Sequence, residues 1–138
     1  VALTANNASN GALMLIPGSH QSFVSCEGMT PENHFRDSLR KQEYGVPCDE
    51  LLAQLVEQGG IVTVDARPGS VILFDCNTLH GSNGNITPWP RSNAFFVYNA
   101  ISNRVVAPFC ERAPRPEYLC AREDIVAIRP RQGALSSE

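Results

Sequence analysis

The chain has 138 residues, 43% of them apolar and 18% charged, with a formal net charge of −3. That is long enough for one domain with a real core, and the composition is that of an ordinary globular protein. No long block of like charge suggests a nucleic-acid footprint or a membrane-surface patch, and no apolar run approaches the roughly 18 residues of a spanning helix.

Val1 to Thr4 opens the chain as a short apolar strand with no polar leader, so the sequence is expected to begin inside a fold. The Asn-rich stretch from Ala5 to Gly11 predicts a turn. A second strand starts at Ala12 and stops at Pro17-Gly18. Val24 to Gln42 is polar and mixed and predicts a long loop, with a helical turn around Pro31 to Arg40.

"DELLAQLVEQGG" is the clearest helix. Asp49 is placed to cap it, Leu51, Leu52, Leu55 and Val56 share a face, and Gly59-Gly60 ends it. "IVTVDA" predicts a strand and "RPGS" a turn. "VILFDC" is nearly continuous in apolar residues, which predicts a central strand. "NAFFVYNAI" predicts another. The proline-rich tail from Pro108 predicts irregular cover, with Ile125 to Ile128 extended. Short strands between Gly/Pro turns, with one good helix, predict a mainly β sandwich or jelly roll.

The five cysteines are widely spaced and form no C-x-x-C, which gives a structural zinc site little support. Cys76 and His80 are four apart, but two ligands do not make a site. Reduced thiols in a cytoplasmic protein are the expectation.

The residues with chemical potential lie in "LFDCNTLHGSNGNITPWPR". His80 follows the predicted central strand, and Arg91 opens the next after a loop of Gly, Ser, Asn and Pro. The loop needs its turn formers; it needs neither the His nor the Arg. A neutral imidazole is a good ligand for Fe(II), and a guanidinium binds a carboxylate through two parallel hydrogen bonds. A jelly-roll oxygenase that uses Fe(II) and 2-oxoglutarate needs both: a His to complete a 2-His-1-carboxylate triad and an Arg for the far carboxylate of the co-substrate. Ser82 is placed to add a hydroxyl hydrogen bond to that carboxylate. Taken singly, a rim His is usually a surface residue and an Arg at a strand start usually an ion-pair partner.

A resemblance adds to this reading. "NGALMLIPGSHQSFVSC", "TPENH", "LRKQEYGVP", "LVEQGGIV", "PGSVILFDCNTLHGSNGNITPWPRSNAFFVYNA" and "PRPEYL" resemble the C-terminal half of the ectoine hydroxylases. These belong to the phytanoyl-CoA dioxygenase-like family of Fe(II)/2-oxoglutarate oxygenases. The resemblance implies a double-stranded β-helix (jelly-roll or cupin-like) core, with residues 1–138 as the C-terminal part of a single dioxygenase domain that carries one or two short helices. It implies hydroxylation of ectoine to 5-hydroxyectoine, with O₂ and 2-oxoglutarate as co-substrates and Fe(II) as cofactor.

It also implies roles by position. His80 matches the second iron-binding histidine, Arg91 the arginine that pairs with 2-oxoglutarate, and Ser82 a polar contact beside it. Phe74 and Phe95 match aromatic residues lining the ectoine pocket, and Asn93 and Arg112 polar residues near the substrate. Ectoine is a small cyclic zwitterion, so aromatic faces suit its cationic ring, and Asn93 or Arg112 its carboxylate. By alternation Phe96 points away from Phe95 and is assigned to the core.

The family's first iron-binding His and its Asp come from an H-x-D motif, and this sequence has none. His20 and His34 are not followed by a carboxylate two residues on and read as loop residues. The chain therefore reads as a fragment with one of three iron ligands, inactive by itself, with a sheet edge open to pairing in a homodimer. The competing expectations are another small-molecule oxygenase of the family, a metal-free β-sandwich binding module, and a plain interaction domain.

Overall fold

The computed structural model describes residues 1–28, 31, 33–34, 44–107 and 113–133. The chain divides into two compact units, Val1–Phe96 and Val97–Glu138.

The first unit is built around a three-stranded antiparallel sheet. Strand β1 (Leu13–Leu15) lies in its middle. Two further short strands, β2 (Cys26–Glu27) and β3 (Val46–Pro47), pair with each other. Helix α1 spans Asp49–Gly59. Strand β4 (Val62–Thr63) pairs with one edge of β1, Met14 opposite Thr63. Strand β5 (His80–Ser82) pairs with the other, Leu15 opposite His80 and Leu13 opposite Ser82.

Local chemistry explains these elements. The Asn-rich turn forms a 3₁₀ turn over Ala8–Asn10, capped reciprocally by the side chains of Asn7 and Asn10. Asn7 Oδ1 accepts from the Ser9 and Asn10 amides, and Asn10 Oδ1 accepts from the Asn7 amide at 2.8 Å. Gly11 then adopts φ 82°, in the left-handed region that favours glycine. A Cβ there would also lie 2.5 Å from the Asn83 carbonyl oxygen. The turn that launches β1 therefore fits against the segment leaving β5 only because residue 11 has no side chain. Gly11→Ala should cost about 1–2 kcal/mol for the left-handed backbone and about 1–3 kcal/mol for the overlap. Urea denaturation reads the sum, and a variant as stable as the parent would sink this account.

The helix is where the periodicity puts it, but its cap is different. Cys48 occupies the N-cap with no side-chain hydrogen bond, and Asp49 is the first helical residue. Asp49 and Glu50 in the first turn set negative charge against the positive end of the helix dipole. Leu55 is buried, while Leu52 lies at the margin of the apolar face. Gly60 closes the helix, its N–H donating to the Val56 carbonyl at 2.8 Å.

Val1 to Thr4 is held on both sides. The Val1 nitrogen donates to Ala94 O at 2.8 Å, and the Ala94 amide returns a bond to Val1 O at 2.9 Å. On the other side, Ala2 N donates to Ser70 O and Gly69 N to Ala2 O. Ala2, Ala12, Ile16 and Leu55 form the buried apolar core of the described residues.

Two predicted strands differ from expectation. "VILFDC" makes no strand ladder: Val71 is 63% exposed and Leu73 87%. "NAFFVYNAI" is bridged only at its start, Asn93 to Ala2, and Phe95 and Phe96 are 74% and 65% exposed. Phe96 is thus not a core residue here. An extended apolar run becomes a strand only when a neighbour takes up its N–H and C=O groups. Apart from the exchange between Ala94 and Val1, no described segment does so for these two. The helical turn expected around Pro31 to Arg40 falls largely outside the described residues.

In the second unit, Glu117 organises a turn. Its Oε1 accepts from the Arg122 amide at 2.5 Å and the Glu123 amide at 3.1 Å, and its Oε2 pairs with the Arg122 guanidinium at 3.0 Å. The two amide bonds, with the Arg122 charge, hold the Glu117 carboxyl below the usual carboxylate range. Ile125 to Ile128 forms no strand.

Candidate functional site

His80 is the first residue of β5 and is exposed, with its backbone fixed opposite Leu15. Its ring is oriented as well. Nδ1 lies 2.7 Å from the Thr78 carbonyl oxygen. A carbonyl only accepts, so Nδ1 carries the proton, and in the neutral ring Nε2 keeps its lone pair. Thr78 is buried, which holds the accepting carbonyl in place. The turn before it is pinned by Asp75, whose carboxylate accepts from the Asn77 amide at 2.8 Å and whose carbonyl accepts from the Thr78 amide. The Phe74 ring meets the His80 ring edge-on, centroids 5.2 Å apart. The result is an imidazole with one nitrogen anchored to backbone and the other without a partner among the described residues, an arrangement that suits a metal ligand.

Ser82 lies two residues further along β5, on the face that His80 shares. Gly81 lies between them.

The loop from β5 to Arg91 is built, not slack. Asn85 Oδ1 accepts from the Thr87 amide at 2.8 Å and the Thr87 hydroxyl at 2.9 Å, and Asn85 Nδ2 donates to Trp89 O at 2.7 Å. The Ile86 amide ties the loop to Ser9 O. The loop's exit is fixed too: the Thr4 hydroxyl accepts from the Ser92 amide at 2.9 Å, and Ser92 O accepts from Leu3 N. Arg91 is therefore delivered by segment 91–94 laid on Val1 to Thr4, not by a strand next to β5. The residue is half-buried, its neighbour Ser92 is held by Thr4, and its guanidinium bonds to no described residue. That leaves the fork for an anionic ligand.

Asn93 is half-buried, and its Oδ1 accepts from Asn6 Nδ2 at 3.1 Å. Asn6 is itself buried, and its own Oδ1 has no partner among the described residues. Phe95 projects from the open end of segment 91–94. Arg112 lies outside the described residues. Among the described residues no three His, Cys, Asp or Glu side chains converge as a metal group. His20 and Cys76 are exposed. A groove of about 670 Å³ against the loop is lined by Thr4, Asn7, Asn10, Thr87 and Trp89, among others, and includes neither His80 nor Arg91.

Sequence reasoning missed Thr78, Asn6 and Ser19. Thr78 acts through its carbonyl, which every residue type has. Asn6 sits in a run of asparagines that already explains a turn. Ser19, buried and bonded through Oγ to the Leu79 amide at 2.8 Å, lies sixty residues from its partner.

The phytanoyl-CoA dioxygenase (PhyH) family model matches residues 1–93. The ectoine dioxygenase of Sphingopyxis alaskensis is 55% identical over 135 residues, covering 98% of this chain and 44% of that protein. The crystal structure of EctD from S. alaskensis with 2-oxoglutarate and 5-hydroxyectoine matches with a TM-score of 0.80 at 47% identity, over 99% of this chain and 42% of that one. EctD from the same organism with bound Fe matches with a TM-score of 0.75 at 45% identity, over the same shares of both chains. The fold of this chain is thus the fold of the matched part of that enzyme, and the chain spans less than half the length of these relatives.

Proposed function

The chain belongs to the phytanoyl-CoA dioxygenase family, and on that premise we propose that it forms part of an Fe(II)- and 2-oxoglutarate-dependent enzyme that hydroxylates ectoine to 5-hydroxyectoine. The observation that carries the reading is the oriented His80, whose Nε2 has no partner among the described residues, in a chain 55% identical to an ectoine dioxygenase. The 138 residues would be the later part of one jelly-roll, double-stranded β-helix domain of a cytoplasmic enzyme.

In this reading His80 Nε2 is one iron ligand, and the other two come from outside this chain. Iron with O₂ and 2-oxoglutarate supplies the oxidising chemistry. The chain's own part is to orient and to exclude water. Arg91 takes the far carboxylate of 2-oxoglutarate through two hydrogen bonds, and Ser82 adds a hydroxyl on the His80 side. Phe74, already packed on the His80 ring, and Phe95 present aromatic faces to the cationic ring of ectoine. Asn93, held by Asn6, and Arg112 bind the polar groups of the substrate.

The test is a chimera. The matching segment of the S. alaskensis ectoine dioxygenase is replaced by these 138 residues, and turnover of ectoine is followed with 2-oxoglutarate and Fe(II). Formation of 5-hydroxyectoine, lost on His80→Ala, is expected. A folded chimera that consumes 2-oxoglutarate but leaves ectoine untouched would assign a different substrate.

A further inference from the structure

Ser19 is 1% exposed and is the largest fully buried side chain of the described residues. It stands in "IPGSH", directly after Gly18, which takes φ 82°. Its hydroxyl donates to Ile16 O at 2.7 Å and accepts from the Leu79 amide at 2.8 Å. The Ile16 amide in turn donates to Leu79 O at 3.0 Å. Both backbone groups of Leu79 are therefore tied to the Ile16–Ser19 turn.

The Leu79 N–H and the Thr78 C=O belong to one peptide unit, which is planar and rigid. That carbonyl accepts from His80 Nδ1 at 2.7 Å. The groups form an unbroken line: Ile16 carbonyl, Ser19 hydroxyl, the Leu79–Thr78 peptide, His80 Nδ1. Each bond points the same way, donor to acceptor, from the imidazole to Ile16 O. Successive hydrogen bonds polarise one another, and a carbonyl whose own amide is engaged is a better acceptor. An acceptor held on Nδ1 strengthens the bond that Nε2 can make to a metal, and the fixed peptide sets the plane of the ring.

We propose that Ser19 is a positioning residue for His80, fixing through the Thr78–Leu79 peptide both the orientation of the imidazole and its strength as an iron ligand. This rests on the reading of His80 as a ligand. Ser19 touches neither metal nor substrate. A serine suits the place because one small hydroxyl both donates and accepts at a buried position.

The experiment titrates Fe(II) anaerobically into the chimera and its variants, following the absorption band formed with 2-oxoglutarate, well below the unfolding temperature of each. Ser19→Ala should weaken iron by about 10-fold, the low end of the cost of losing a direct outer-sphere partner, because the Thr78 carbonyl remains. In the metal-free protein the His80 Nδ1–H proton should exchange faster than in the parent. A purely structural serine would lower the unfolding temperature and move neither quantity, and that result overturns the proposal. His80→Ala separates the two ideas. If it abolishes the band while Ser19→Ala binds iron as the parent does, only the role of Ser19 falls. If His80→Ala leaves the band intact, the ligand reading falls and Ser19 with it. Ser19→Cys, whose thiol is a weaker donor and acceptor, serves where the alanine variant does not fold; parental iron affinity in it counts against the proposal.

Discussion

Arg91→Ala in the chimera should raise the 2-oxoglutarate concentration needed for half-saturation by about 100-fold and change the ectoine requirement far less. A two-pronged, charge-assisted contact is worth about 3 kcal/mol, and each 1.4 kcal/mol is a factor of about ten. The structure makes the variant clean. The Arg91 guanidinium bonds to no described residue, while the backbone on its far side is held by Thr4 through Ser92. Truncating the side chain should therefore disturb the fold by no more than about 0.5 kcal/mol. Arg91→Lys should recover part of the loss, since a point charge replaces the fork but cannot match both carboxylate oxygens. Steady-state kinetics with each substrate varied in turn checks this. Equal losses for both substrates would remove Arg91 from the co-substrate site and make it a general structural residue.

His80 and Arg91 were legible because neither is needed by the loop that separates them. Turn formers account for Asn83, Gly84 and Asn85, and the structure uses the last of them so: Asn85 gathers Thr87 and Trp89 into a knot. What remained unexplained by turn chemistry was chemical. The same logic could not find Ser19 or Thr78. Ser19 follows Pro-Gly and is a satisfactory turn residue, and its role appears only when β5 brings Leu79 to it. That the segment opened by Arg91 lies on Val1 to Thr4 was hidden for a related reason. Nothing in the composition of "PRSNA" says that its partner is Val1 to Thr4.

Strand prediction shows the limit most directly. Apolar pattern located β1 well, because β4 and β5 are at hand to pair with it. It marked "VILFDC" and "NAFFVYNAI" as strands, and neither joins a ladder among the described residues. It could not say whether a partner would be present, since a ladder belongs to two segments and a pattern to one. The helix shows the converse. Leu51, Leu55 and Val56 fixed its span from within, and only the cap, one residue of sequence, shifted from Asp49 to Cys48.

The 138-residue chain purified alone should bind no stoichiometric Fe(II), show no band with 2-oxoglutarate, hydroxylate no ectoine, and associate with itself. One oriented imidazole is a single ligand, and a facial triad needs three. His20 is exposed, and no second and third ligand converge on His80 among the described residues. The association follows from the same segments that form no ladder. Val71 and Leu73, and likewise Phe95 and Phe96, expose apolar side chains in segments that join no strand ladder among the described residues, and such edges recruit further strands. Sedimentation should show dimers or larger species, and an apolar-surface dye should fluoresce with the chain and much less with the chimera, where the rest of the relative is present. Tight, stoichiometric iron in the isolated chain would overturn the first half of this expectation and require ligands from a second copy. A dye-silent monomer would overturn the second, because it would mean that these segments are covered by the chain itself. The two halves are independent: the iron result speaks to His80 and its missing companions, the association result to the two open apolar segments.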